Sequence, residues 1–361
     1  MGIAEDSGSV AKRTRISPEA AGIGERMKPA ETIRGSSSMI EVQDLTKRYG
    51  HVVANDSISF SVGNGEIVGL LGPNGAGKTT VMRILTGCLP ATSGTASVGG
   101  YGLSTHATAA KRQIGYLPEF VPLYPDMTVP EYLNFLGALR DLRGRALRAA
   151  REGVIERCGL SDMRRRLVKN LSKGYQQRLG LAQALIHNPA VLILDEPTGG
   201  LDPRQTHEMR QLISNLAGQH TILLSTHILP EATALCQRVI IMHKGRIAAV
   251  DEQERLAARL RKSEKLTLRL RHPPQDIVDQ LKSIPGVIGI YSDSDWGQGR
   301  PGGPGERRWI VECELGKDLA EEIARRAVQR GWGLAELTPL SLSLEEVFLN
   351  LTNSDPVEAP S

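Results

Sequence analysis

The sequence predicts an α/β protein built on a mostly parallel sheet, followed by a small α+β domain with ferredoxin-like order. Two observations predict the first part. Apolar runs typical of buried strands end at Leu71 in a glycine-rich loop and at Leu194 in two carboxylates, and strand and helix patterns alternate around them. A third observation predicts the second part, because beyond about Arg261 the pattern becomes β-α-β-β-α-β. The chain of 361 residues, 40% hydrophobic and 23% charged, is long enough to fold into both.

The two ends of the chain have a different composition. Residues 1–38 mix Gly, Ser, Pro and charges of both signs with hardly any apolar periodicity. A segment of this kind buries too little apolar surface to fold, so it is predicted to be disordered. An alternating strand pattern begins at Met39, which is a candidate for the true start of the protein. Residues 353–361 are predicted to be a second tail.

A complete phosphate-binding pattern, G-x-x-x-x-G-K-[ST], directly follows the apolar run that ends at Leu71. Its residues are Gly72, Pro73, Asn74, Gly75, Ala76, Gly77, Lys78, Thr79 and Thr80. Glycines let successive backbone N–H groups turn towards phosphate oxygens, Lys78 can neutralise the β- and γ-phosphates, and Thr79 can offer its hydroxyl to Mg²⁺. A helix starting near Lys78 adds its positive end. The preceding strand disfavours the alternative of an ordinary glycine-rich turn.

A second motif is the apolar run from Ala190 that ends in Asp195 and Glu196. α/β proteins bind their ligands at the carboxyl ends of such buried strands. Asp195 is predicted to hold Mg²⁺ through water. Glu196, one residue beyond the strand, is then placed to orient and deprotonate an attacking water. The phosphate loop alone predicts nucleotide binding, and the two motifs together predict nucleotide hydrolysis.

The segment from Asn170 to Arg178 lies between these motifs. Its Leu171, Ser172, Gly174, Gln177 and Arg178 match the signature motif of the ATP-binding-cassette (ABC) ATPases. With its motifs in the family's order, the stretch from Met39 to Leu256 resembles that family. The resemblance implies that adenine stacks on Tyr49, that Asp202 belongs to the D-loop and that His227 is the catalytic switch histidine.

The resemblance also implies an assembly. Lys78, Glu196 and His227 of one copy would act on its own ATP, and Ser172 with Gly174 of a second copy would close over the γ-phosphate. A head-to-tail homodimer would then enclose two ATP–Mg²⁺ pairs.

Three departures from the commonest family pattern narrow the resemblance to one subgroup of the family. Glu119 stands where most members have glutamine, and a carboxylate can ligate Mg²⁺ but cannot donate a hydrogen bond. It is predicted to line the ATP site and to join Thr79 and Asp195 at the metal. Lys173 and Tyr175 replace the usual glycine and glutamine of the signature. These changes and the segment 122–133 resemble ABC-2-type exporter ATPases, including those linked to gliding motility and drug export.

These patterns predict the organisation of the chain. An ATPase domain spans residues 39–256, with an antiparallel β subdomain and a helical subdomain at about 120–178. In the helical subdomain, Thr128 and Glu131 form a capping box. A connecting arm at 257–264 leads to a domain at 265–352. Nothing in that domain indicates catalysis, so a regulatory or docking role is favoured over a second ligand site.

Composition and length restrict the possible functions. No stretch approaches the roughly 20 apolar residues of a membrane span, and no apolar signal segment opens the chain. An exporter ATPase of this kind would therefore act on a separate integral membrane permease from the cytoplasmic face. The net charge of +4 is too small to argue for nucleic acid. The scattered cysteines are predicted to be buried or half-buried in a reducing, cytoplasmic protein.

Two other functions would use the same nucleotide-binding motifs. A soluble ABC ATPase acting on nucleic acid or the ribosome generally carries a long coiled-coil insertion or two cassettes, and this sequence shows neither. A module that binds ATP without hydrolysing it conflicts with the intact Glu196 and His227.

Overall fold

The structure is a computed structural model that describes residues 38–252, 255, 263–292, 306–340 and 348. Apart from Ser38, which begins the first strand, the two predicted tails lie outside the described residues, as does most of the predicted connecting arm.

Residues 38–252, the first domain, contain ten strands and seven α-helices, with two short 3₁₀ helices at Ser161–Met163 and Val168–Asn170. The strands are β1 (Ser38–Tyr49), β2 (Val52–Gly63), β3 (Ile67–Leu71), β4 (Ser93–Val98), β5 (Tyr101–Gly102), β6 (Ile114–Leu117), β7 (Val191–Asp195), β8 (Thr221–Thr226), β9 (Arg238–His243) and β10 (Arg246–Glu252). The helices are α1 (Lys78–Leu85), α2 (Ala107–Arg112), α3 (Val129–Leu139), α4 (Gly144–Arg157), α5 (Lys173–Leu185), α6 (Pro203–Ser214) and α7 (Leu229–Leu235).

The central sheet has the strand order β10-β9-β3-β8-β7-β6. All neighbours are parallel except β10, which runs antiparallel to β9. Strand β7 is buried throughout because it is covered on both faces: Leu192 and Leu194 belong to one hydrophobic cluster, and Val191 and Ile193 to the other. The carboxyl ends of β3, β8 and β7 therefore lie side by side at one edge, which confirms the predicted parallel sheet.

Two smaller units flank the central sheet. Strands β2, β1, β4 and β5 form an antiparallel sheet in that order. Helices α3, α4 and α5 pack together as a helical unit, and the Glu131 carboxylate accepts the Thr128 N–H at 2.8 Å at the start of α3. This contact confirms the predicted capping box.

The C-terminal domain has the predicted element order. Its elements are β11 (Glu264–Leu270), α8 (Ile277–Lys282), β12 (Val287–Ser292), β13 (Arg307–Cys313), α9 (Leu319–Gln329) and β14 (Leu334–Leu340). The strands form an antiparallel sheet in the order β12-β13-β11-β14, as in a ferredoxin-like fold. Leu281 of α8 and Ile323 of α9 share a buried core with Leu268 and Val311 of the sheet. Further along the chain, Phe348 packs against the core of the first domain.

One expectation about the cysteines is wrong. Cys158, Cys236 and Cys313 are buried as predicted, but Cys88 is exposed. Cys88 lies in the turn that follows α1, where Gly87 has a left-handed φ of 68° and the chain leaves the core.

The described part of the chain contains no helix that is both long and apolar enough to cross a bilayer.

Candidate active site

The glycine-rich loop connects β3 to α1, and its backbone geometry requires glycine. Gly75 and Gly77 have left-handed φ values of 81° and 100°. A Cβ atom on Gly77 would lie 2.5 Å from the carbonyl oxygen of Ala54 and 2.5 Å from the side-chain amide nitrogen of Asn55. Only glycine fits there, and α1 begins at the next residue, Lys78. The glycine-rich loop therefore leads directly into a helix N-terminus, which favours a bound phosphate.

Lys78 is buried within this loop, with an exposed fraction of 6%. Its Nζ donates to the carbonyl oxygens of Gly72 at 2.8 Å and Pro73 at 3.3 Å, and lies 3.8 Å from Oε1 of Glu196. Burial lowers the pKa of the Lys78 ammonium, and nearby carboxylates, with Glu196 the strongest, act in the opposite direction. The carboxylates thus help to keep this buried cation charged.

The end of β7 is fixed by hydrogen bonds to the end of β8. Asp195 has an exposed fraction of 1% and accepts the Ser225 hydroxyl. The N–H of Glu196 lies 3.1 Å from Oγ of Ser225 and 3.2 Å from its carbonyl oxygen. Glu196 itself has a left-handed φ of 50°, a conformation that costs on the order of 1–3 kcal/mol for a residue with a side chain and clusters at functional sites. The surrounding contacts hold Glu196 in this conformation.

His227 follows β8 directly and contacts Glu196. Its Nδ1–H donates to Oε2 of Glu196 at 2.7 Å, while 47% of its side chain is exposed. The imidazole thereby orients one carboxylate oxygen, and the other oxygen faces Lys78.

A single cleft of about 270 Å³ brings most of the predicted site residues together. The predicted residues that line it are Asn74, Gly75, Ala76, Gly77, Lys78, Thr79, Thr80, Glu119, Glu196 and His227. Gly72 and Pro73 do not line the cleft, but their carbonyl oxygens accept hydrogen bonds from Nζ of Lys78. The cleft combines phosphate-binding N–H groups, one cation and a carboxylate oriented by histidine, which is a set suited to phosphoryl transfer to water.

The donor set suits Mg²⁺ bound together with a phosphate. In the described ranges, no three of His, Cys, Asp and Glu cluster closely enough to hold a metal by themselves. Mg²⁺ typically takes one or two carboxylates and completes its octahedron with water and substrate phosphates. The Thr79 hydroxyl and the Glu119 carboxylate line the cleft, and Asp195 lies buried at the end of β7 beside it.

Four predicted residues lie away from this cleft. Ser172, Gly174 and Asp202 line a second cleft, of about 290 Å³, between α5 and α6. Asp202 caps α6, because its carboxylate accepts the N–H of Gln205 at 2.8 Å. Tyr49 ends β1 with a half-exposed ring, and the Lys47 ammonium lies 5.2 Å from its centroid. One copy of the chain thus separates the signature residues from the phosphate loop.

Sequence reasoning missed one polar group near this site, the buried Glu231 carboxylate. Glu231 lies in the first turn of α7, where an acidic residue is ordinary because it favours the helix dipole. Its buried contacts give no signal in the sequence.

Comparisons with known proteins agree with this geometry. Residues 55–199 match the family described as ABC transporter. The chain is 36% identical to the linearmycin resistance ATP-binding protein LnrL of Bacillus subtilis, over 87% of this chain and 98% of the relative. It is 41% identical to the Nod factor export ATP-binding protein I of Ralstonia nicotianae, over 59% of this chain and 66% of the relative.

A solved structure shows the same likeness. It is the dimeric structure of MJ0796, a bacterial ABC transporter cassette, with a TM-score of 0.54 and 25% identity over 59% of this chain and 98% of that one. The matched family, these relatives and this fold agree on one assignment. The chain therefore belongs to the ABC transporter family, as an ATP-binding protein that hydrolyses ATP.

Proposed function

We propose that this chain is the ATP-hydrolysing subunit of an ABC-2-type export system, and that two copies close around two ATP–Mg²⁺ to drive a separate membrane permease. The observation that carries the proposal is the separation of two half-sites in one chain. The phosphate loop, Glu196 and His227 share one cleft, and Ser172 with Gly174 lines another. A head-to-tail dimer would bring the second cleft of one copy over the first cleft of its partner.

The residues of the first cleft then have separate roles. Lys78 and the loop N–H groups bind the β- and γ-phosphates. Glu196, oriented by His227 at 2.7 Å, takes a proton from the water that attacks the γ-phosphorus. Thr79, Asp195 and Glu119 would hold Mg²⁺, which supplies charge neutralisation at the phosphates. Tyr49 offers its half-exposed ring to adenine.

In this proposal, the second cleft acts on the partner's ATP. Ser172 is exposed and precedes α5, so its hydroxyl and the helix N-terminus face outwards. A Cβ atom on Gly174 would lie 2.6 Å from Oε1 of Gln205, so the Gln205 side chain would have to move to admit one. Hydrolysis would remove the γ-phosphate that bridges the two copies and would let them separate.

Three exposed aromatic side chains that follow Glu119 in the chain, called the aromatic patch below, support a protein partner. Phe120 has an exposed fraction of 82%, and the partly exposed rings of Tyr124 and Phe135 meet edge to face with centroids 5.4 Å apart. Exposed apolar patches of this kind mark interaction sites. The names of the relatives, one for Nod factor export and one for linearmycin resistance, support an export role. A permease docked on this patch would keep the subunit at the cytoplasmic face of the membrane.

Isolation of the chain from detergent-solubilised membranes of its host tests the proposed partner. We expect an integral membrane polypeptide with several spans to co-purify, and Phe120→Ser to lose it while keeping the basal ATPase rate. Recovery of ribosomes or nucleic acid in place of a membrane protein would favour the alternative, a soluble ABC ATPase that acts on those partners.

Glu119 gives a test of the proposed metal site. Glu119→Gln should change the ATPase rate only slightly, since an amide oxygen can still contact Mg²⁺ or water. Glu119→Ala should slow hydrolysis by roughly 10-fold and raise the Mg²⁺ concentration needed for half-maximal rate, because an oxygen ligand is lost. Steady-state ATPase with the membrane partner present is the measurement.

The control is Asp126→Ala, which removes an exposed carboxylate paired with Lys169 outside the cleft. A surface ion pair contributes only about 0–1 kcal/mol, so this change should leave the rate unaltered. Wild-type rates and Mg²⁺ dependence in both Glu119 variants would remove this residue from the proposed site.

We further propose that the C-terminal domain regulates or docks the ATPase, with residues 39–256 forming the ATPase domain and 265–352 the C-terminal one. The polar groups of the proposed site all lie before β11, and the core of the C-terminal domain is apolar and separate. Phe348, which lies beyond β14, packs against the core of the ATPase domain. This contact supports an effect of the C-terminal segment on the ATPase.

A further inference from the structure

Glu231 is a buried carboxylate that the proposed mechanism does not use. Its exposed fraction is 1%, and it lies in the first turn of α7, four residues after His227. Carboxylates are almost never fully buried unless they are paired or hydrogen-bonded, because desolvation of the charge is costly. The partners of Glu231 therefore indicate what it does in the fold.

The two oxygens of Glu231 contact two different segments of the site. Oε1 accepts the hydroxyl of Thr198, which is two residues beyond Glu196. Oε2 accepts the hydroxyl of Thr226 at 2.8 Å, and Thr226 directly precedes His227. Both threonines are buried, and the Arg210 guanidinium of α6 lies 3.8 Å from Oε1. One side chain thus joins the segment after β7 to the end of β8.

Glu231 accepts two hydrogen bonds at once, one on each carboxylate oxygen. Oγ1 of Thr226 accepts the N–H of Ile228 at 3.0 Å, so its own hydrogen is directed to Glu231. Both threonine hydroxyls donate, and a carboxylate offers one accepting oxygen to each. A glutamine offers a single accepting oxygen, so one of the two hydroxyls would have to turn its hydrogen away and accept from the NH₂ group, which changes the anchor.

We propose that Glu231 is a positioning residue that sets the distance between Glu196 and His227. This inference rests on the proposed catalytic roles of those two residues. Glu196 has a left-handed φ of 50°, and a strained residue keeps its conformation only where the surroundings determine it. Anchoring Thr198 and Thr226 to one carboxylate holds the chain on both sides of the 2.7 Å contact between His227 Nδ1 and Glu196 Oε2. The phosphate loop is a separate segment and does not depend on this anchor.

The test compares Glu231→Gln and Thr226→Val with a matched control, Thr221→Val. Thr221 and Thr226 are both fully buried on β8. Each hydroxyl accepts one backbone N–H, from Gly65 at 2.9 Å and from Ile228 at 3.0 Å, and each donates onwards. Thr221 lies at the opposite end of the strand from the site. The two threonine variants therefore remove the same number of hydrogen bonds, although the bond to Glu231 at 2.8 Å is shorter and charge-assisted while the bond from Thr221 to the Gly63 carbonyl is 3.4 Å long. Only Thr226→Val touches the anchor.

We expect kcat of Glu231→Gln and Thr226→Val to fall by roughly 10- to 100-fold, as for a small misplacement of catalytic groups. KM and the affinity for a fluorescent ATP analogue should change by less than about 3-fold, because the phosphate loop is intact. Thr221→Val should lower Tm, by no more than Thr226→Val does, and keep the wild-type kcat. The double variant Glu231→Gln/Thr226→Val should be no slower than the slower single variant, because both break the same anchor.

Wild-type kcat in folded Glu231→Gln, equal kcat losses in Thr226→Val and Thr221→Val, or additive losses in the double variant would each overturn the proposal. If Glu231→Gln does not fold, the comparison of kcat between Thr226→Val and Thr221→Val tests the proposal. Glu196→Gln separates this inference from the proposed function. A fast Glu196→Gln enzyme would contradict the general base itself, whereas a slow Glu196→Gln with a normal Glu231→Gln would contradict only the positioning role.

Discussion

Replacement of Glu196 by glutamine is expected to lower steady-state ATP turnover by about 100-fold or more while ATP binding is retained. Glutamine can still accept the hydrogen bond that His227 Nδ1–H gives to Glu196 at 2.7 Å, but it cannot take a proton from water. The substitution keeps the size of the side chain. The left-handed backbone at this position is no more strained by glutamine than by glutamate.

The measurements for Glu196→Gln are phosphate release, titration with a fluorescent ATP analogue, and gel filtration in ATP and in ADP. Because ATP stays bound without being hydrolysed, the variant should run as a dimer in ATP and as a monomer in ADP. Glu156→Gln, the same change on the exposed surface of α4, is the matched control and should behave as wild type. Near wild-type turnover in Glu196→Gln would contradict its assignment as the general base.

Removal of the Lys78 ammonium is expected to weaken ATP binding by about 10- to 100-fold, the effect of losing charge-assisted hydrogen bonds. Turnover should fall with it, because the same charge stabilises the phosphates in the transition state. Lys78→Ala also removes the cation that lies 3.8 Å from Glu196. Lys111→Ala, on an exposed position of α2, is the control. Unchanged affinity and normal kinetics in Lys78→Ala would mean that the glycine-rich loop is a structural turn.

Mixing Lys78→Ala with Ser172→Asp tests the shared active site. Aspartate is as good an N-cap as serine for α5, and its charge would repel a γ-phosphate at that position. Each variant alone should be nearly inactive. In a random mixture half of the dimers are mixed, and each mixed dimer has one intact site, so about a quarter of the wild-type rate should return. No recovery on mixing would show that Ser172 acts on the ATP of its own copy, and an active Ser172→Asp variant would show that it acts on neither ATP.

Local patterns predicted the elements of this fold well. The strand that ends at Leu71, the helix that begins at Lys78 and the capping box at Thr128 are all present. The order of strands and helices after residue 263 also agrees. Each of these features depends on hydrophobic periodicity or on residues within a few positions of one another. The exposed Cys88 departs from expectation because composition predicts average burial and not the course of one turn.

The sequence by itself determined the chemistry available to this protein: a loop that binds phosphate, a lysine within it, and two carboxylates at the end of a buried strand. These features are encoded in short segments whose backbone geometry follows from their own residues. Only the tertiary structure decided which side chains meet. His227 contacts Glu196 across 31 residues, and Glu231 binds Thr198 across 33. The strand order β3-β8-β7 sets these contacts, and the buried core on both faces of the sheet fixes that order. Tertiary structure also decided that Ser172 and Gly174 lie in a different cleft, which is formed between α5 and α6 and not at the phosphate loop.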